Sequence, residues 1–82
     1  MINEDRIVFV VDDDASVRRS LNMLLNSAGY NTSLFGSGTE LLAHEQYSGP
    51  GCIILDIFLK EASGLDLKDE ITMKFPNLPI IF

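Results

Sequence analysis

A short apolar run that ends in a single carboxylate, Gly51-Cys52-Ile53-Ile54-Leu55-Asp56, most constrains what this chain can become. Gly49-Pro50-Gly51 bounds the run on one side, so it reads as a strand buried on both faces. Such a strand tolerates an Asp only where the chain emerges at its end. Open parallel α/β sheets bind ligands in the crevice at the carboxyl ends of their strands, which puts Asp56 where chemistry is done. A second run, Ile7-Val8-Phe9-Val10-Val11, stops in the same way, in Asp12-Asp13-Asp14.

Helical patterns separate these runs. From Ala15 to Ala28, Val17, Leu21, Leu24, Leu25 and Ala28 mark one face of an amphipathic helix, with Arg18, Arg19, Asn22 and Asn26 mainly opposite. Asp14 is placed to cap its start, and Gly29 to end it as a residue that can take positive φ. Tyr30 to Phe35 is a more polar strand, suited to an edge. Gly36-Ser37-Gly38 is a turn, and Thr39 to Gln46 a short helix anchored by Leu41, Leu42 and Tyr47. A loop over 57–62 leads to a helix beginning at Ser63, with Asp66 in a shortened capping box. Leu67, Ile71 and Phe75 form its buried face, Pro76-Asn77 ends it, and Pro79 to Phe82 starts a fourth apolar strand. The order βαβαβαβ predicts an α/β fold: a parallel sheet with right-handed crossovers and helices on both faces.

Eighty-two residues make one domain, 1–82. A chain this size buries roughly two-thirds of its unfolded surface. The net charge of −6 argues against a nucleic-acid surface and against docking on anionic lipid. The single cysteine excludes an intrachain disulfide and a thiolate metal cluster, making cytosol the default. No apolar run reaches membrane-spanning length.

With the first and third strands adjacent, about 4.8 Å apart, Asp12, Asp13 and Asp56 converge at one end of the sheet. Three carboxylates so close repel one another and either raise pKa values or recruit a cation. An oxygen-only donor set selects Mg²⁺ or a similar hard cation, which would offset the charge of an incoming phosphoryl group. Other polar residues have plainer roles. His44 is expected to be a solvated helix residue, Arg18-Arg19 a solvated helix face with a possible docking role, and Cys52 a small buried hydrophobe. Phe58 is expected either to pack in the loop or to border the acidic pocket.

Val11-Asp12-Asp13-Asp14 ahead of Val17-Arg18, and Ile54-Leu55-Asp56 ahead of Ser63-Gly64-Leu65, resemble the receiver domain of two-component response regulators, nearest its FixJ/NarL-like branch. Gly29-Tyr30, Phe35 and Leu78-Pro79-Ile80-Ile81 fit as well. The resemblance implies a flavodoxin-like (CheY-like) doubly wound sheet, here of strand order 2-1-3-4. It implies Asp56 as phospho-acceptor and Mg²⁺ ligand, Asp13 as a direct Mg²⁺ ligand, Asp12 as a ligand through water, and the Phe58 backbone carbonyl as the remaining protein ligand. The implied donor is a phosphohistidine on a sensor histidine kinase, and a DNA-binding output domain would lie downstream in an intact protein. The implied role is signal transduction rather than catalysis on a separate substrate.

Two departures from the family pattern stand out. Leu59-Lys60 replaces the usual Met-Pro, placing the Lys60 cation where it competes with Mg²⁺ or contacts a phosphate. The family's switch Thr or Ser, its late Lys, its fifth strand and its last two helices would fall beyond Phe82, so the chain resembles the N-terminal two-thirds of a receiver. An open fourth-strand edge and an incompletely covered sheet face then predict self-association. The alternative function is a degenerate receiver that only binds partners. An aspartyl phosphatase of another α/β class is disfavoured because Phe58 stands where its second Asp belongs.

Overall fold

The structure is a computed structural model and describes residues 6–59 and 64–82. The elements are β1 (Ile7–Val11), α1 (Ala15–Ser27), β2 (Asn31–Phe35), α2 (Gly38–Ala43), β3 (Gly51–Leu55), α3 (Gly64–Lys74) and β4 (Ile80–Ile81). The four strands form one parallel sheet in the order β2-β1-β3-β4. Among the described residues, no helix is long and apolar enough to cross a membrane.

Burial follows from that order. β1 lies between β2 and β3, and its residues Val8 to Val11 are all buried, as a strand covered on both faces requires. β2 sits at the edge and has no fully buried residue, in keeping with its polar Asn-Thr-Ser start. β1 and β3 pair from Ile7↔Gly51 to Val11↔Leu55, so both strands end at the same level. Gly51 permits this: a Cβ there would stand 2.1 Å from the carbonyl oxygen of Ile7.

The larger core lies on the α2–α3 side of the sheet. Phe9, Val11, Ile53 and Leu55 from the strands meet Leu41, Ile71, Phe75 and Leu78. Phe9 is its centre, with its ring 5.7 Å from Phe75, 5.5 Å from Tyr47 and 6.0 Å from Phe35. Burying each such ring contributes about 2–3 kcal/mol relative to leaving it in water. Leu59, assigned to a loop by sequence, is also buried here.

Local signals set the helix ends. Asp14 Oδ1 accepts from Ser16 N and Val17 N, capping α1 as expected. At the other end Gly29 has φ +94°, Gly29 N donates to Asn26 O and Tyr30 N to Leu25 O, a Schellman closure. α2 is shorter than expected and ends at Ala43, because His44 turns extended. Ser37 caps its start, accepting from Glu40 N at 3.1 Å.

Two expectations, for His44 and Arg18, need correction. His44 is not a solvated helix residue. It is half-buried, with its ring edge-on to Phe9 at 5.4 Å and to Phe35 at 5.7 Å. The apolar face of α1 is only partly covered: Leu21 and Leu25 are half-buried, while Val17, Leu24 and Ala28 are exposed. Periodicity reports which face is apolar, but a neighbour must exist to cover it, and among the described residues α1 packs chiefly on β1 and β2. Finally, Arg18 is half-buried rather than solvated. The proposed capping box at Ser63 lies outside the described residues.

Candidate functional site

The carboxyl ends of β1 and β3 carry the acidic residues, and the sheet's hydrogen bonds run right up to them. Asp56 N donates to Val11 O at 3.0 Å, and Asp12 N donates to Phe35 O at 3.1 Å. Each Asp therefore leaves a strand end that its neighbour holds in place. Two side-chain turns follow. Asp12 Oδ1 accepts from Asp14 N at 2.9 Å, and Asp56 Oδ1 accepts from Phe58 N at 3.1 Å.

The result is a cluster. Asp12, Asp13 and Asp56 each present one carboxylate oxygen, and these oxygens lie within 4.8 Å of one another. All three residues are half-buried. At that separation each pair of charges repels by a few kcal/mol before solvent screening, taking an effective dielectric near 20. Asp12 registers the strain: burial raises its pKa, the Asp14 N–H lowers it, and the charges of Asp56, Asp13 and Asp14 raise it further. Asp14 itself is exposed and serves the helix, so the fourth neighbouring acid stays outside the cluster.

The donor set fits a small hard cation. It offers oxygen alone, with no thiolate or imidazole in the cluster. Oxygens bound directly to one Mg²⁺ stand no more than about 4.2 Å apart. Oxygens within 4.8 Å of one another are close enough to share one such ion, directly or through a bound water.

Phe58 continues from the cluster. Its N–H is bound to Asp56, but its side chain is 84% exposed, so it does not pack in the loop. Lys60 lies outside the described residues. Sequence reasoning missed a neighbour, Arg18, whose Nη1 donates to the backbone carbonyl of Asp12 at 2.6 Å. The available signal was its position one helical turn beyond the Asp14 cap, which returns its side chain toward the strand ends.

Comparison with known proteins decides the family. The response regulator receiver domain model matches residues 8–82. The chain belongs to the response regulator receiver domain family. It is 43% identical over 76 residues to nodulation protein W of Bradyrhizobium diazoefficiens, covering 93% of this chain and 34% of that protein. It is also 43% identical over 75 residues to the transcriptional regulatory protein TdiR of Thauera aromatica, covering 92% and 33%. A solved structure of the response regulator StyR superposes with a TM-score of 0.84 at 38% identity, covering 95% of this chain and 39% of that one. The receiver thus has the flavodoxin-like sheet that its alternating pattern and resemblance implied, and it spans about a third of the length of the curated relatives it matches. TdiR is named a transcriptional regulatory protein and StyR a response regulator, the vocabulary of two-component signalling.

Proposed function

We propose that this receiver accepts a phosphoryl group on Asp56 from a phosphohistidine of a sensor histidine kinase. The observation that carries the reading is the meeting of Asp12, Asp13 and Asp56 oxygens within 4.8 Å at the ligand-binding end of a parallel sheet. Asp13 and the Phe58 carbonyl would hold Mg²⁺ directly and Asp12 through water. Bound there, the ion supplies charge neutralisation for the carboxylates and the incoming phosphoryl oxygens.

The chain's own residues do the rest. The Phe58 N–H holds Asp56 Oδ1, leaving Oδ2 to face the donor. Oδ2 forms the new P–O bond while the P–N bond of the phosphohistidine breaks, and the electron pair stays on the departing imidazole. Water later cleaves the acyl phosphate. The Lys60 cation would contact the phosphate or compete with Mg²⁺. By analogy with the named regulators, the phosphorylated state would act on a DNA-binding output segment of a longer cytoplasmic protein.

The test is direct. Incubation with acetyl phosphate and Mg²⁺ should add one phosphoryl group, read by intact-mass spectrometry, and Asp56→Asn should abolish the gain. Beryllofluoride should bind only when Mg²⁺ is present. A wild-type chain that neither gains mass nor responds to Mg²⁺ would leave the degenerate, partner-binding receiver as the correct reading.

A further inference from the structure

Arg18 is a cationic group beside the acidic cluster that the phosphotransfer reading does not use. It is half-buried and its Nη1 reaches the Asp12 carbonyl at 2.6 Å. Its guanidinium passes over Gly36, where a Cβ would stand 3.4 Å from Nη1 and 3.1 Å from Glu40 Oε2. Asp12 is consequently held at three points: its N–H by Phe35 O, its carbonyl by Arg18, and its carboxylate by Asp14 N.

The carbonyl of Asp12 and the N–H of Asp13 belong to one rigid peptide plane. Anchoring that oxygen fixes the rotation of the plane, and with it the direction in which Asp13 leaves the strand. A hydrogen bond donated by a cation is stronger than a neutral one, which suits a clamp at the end of a strand.

We propose that Arg18 is a positioning residue of the acidic pocket: it clamps the Asp12 carbonyl and so aims the Asp12 and Asp13 carboxylates at Asp56. Its consequence for Mg²⁺ rests on the function proposed above. Charge alone predicts the opposite effect. A guanidinium near a cation site repels the cation, so removing it would tighten Mg²⁺ binding if proximity were its only influence. A positioning role predicts that removal weakens binding.

The experiment follows backbone amide resonances of the 82-residue chain in wild-type, Arg18→Met and Arg18→Lys forms, first in EDTA and then across a MgCl₂ titration. In EDTA, Arg18→Met should shift the Asp13 and Asp14 amides and speed their hydrogen exchange, leaving those of β3 and α3 in place. Its Mg²⁺ affinity should fall about tenfold, the scale seen when a group supporting a metal ligand is removed. Arg18→Lys, which keeps a charged donor on a long stem, should recover to within about threefold of wild type. Unchanged Asp13 and Asp14 amides, or Mg²⁺ binding by Arg18→Met as tight as wild type or tighter, would overturn the proposal. Should Arg18→Met lose its folded spectrum, Arg18→Gln supplies the same two readouts. A wild-type chain blind to Mg²⁺ would sink the proposed function, while the EDTA spectra would still decide whether Arg18 positions the loop.

Discussion

The backbone N–H of Asp56 donates to the carbonyl oxygen of Val11 at 3.0 Å, so the last ladder bond between β3 and β1 lies at the base of the acidic cluster. Strand pairing and site assembly are thus the same event, since any slip in β1–β3 register moves Asp56 away from Asp12 and Asp13. The register is held where Gly51 lies against Ile7 at the other end of the pair.

Gly51→Ala should therefore be costly. A Cβ 2.1 Å from a backbone oxygen cannot be absorbed by a side-chain rotation, so the strands must part. The expected loss is about 1–3 kcal/mol, measured by urea denaturation, with phosphorylation of Asp56 reduced in parallel.

Metal-free stability should depend on pH through Asp12. Its folded pKa lies above the ordinary carboxylate value, so its protonated form favours the folded state at low pH. That contribution is lost as pH rises through the folded pKa, and at neutral pH the ionised group destabilises the fold. In EDTA at pH 7, Asp12→Asn should be more stable than wild type by roughly 0.5–1 kcal/mol, the scale for part-solvated charges. The advantage should shrink as the pH falls toward 4, and thermal melts of both proteins across that range check the sign.

Removing a ligand should separate binding from folding. Asp13→Asn should weaken Mg²⁺ by at least the roughly 10–100-fold that losing a supporting group costs. Its circular dichroism should remain that of wild type. Titration of the amide resonances reads the affinity.

Phe75 and Leu24 make a contrasting pair, since periodicity assigns both to apolar helix faces. Phe75 is 0% exposed and Leu24 is 64% exposed. Phe75→Ala should cost about 3–5 kcal/mol, a large share of the roughly 4–12 kcal/mol expected for a domain of this size. Leu24→Ala should stay within about 0.5 kcal/mol. Urea midpoints compare them.

Local chemistry made much of this legible in the residues alone. The β-branched runs before Asp12 and Asp56, the Asp14 cap and the Gly29 stop all act within a few residues, and their order forces a parallel sheet. Asp12 and Asp13 were readable as partners of Asp56 for the same reason: carboxylates at the ends of neighbouring parallel strands share one edge. Tertiary structure alone decided that Arg18 reaches the Asp12 carbonyl, that His44 lies against Phe9 and Phe35, and that Leu24 stays in water. Those outcomes depend on which element lies opposite a side chain, and a pattern along one segment carries no information about its neighbour across space.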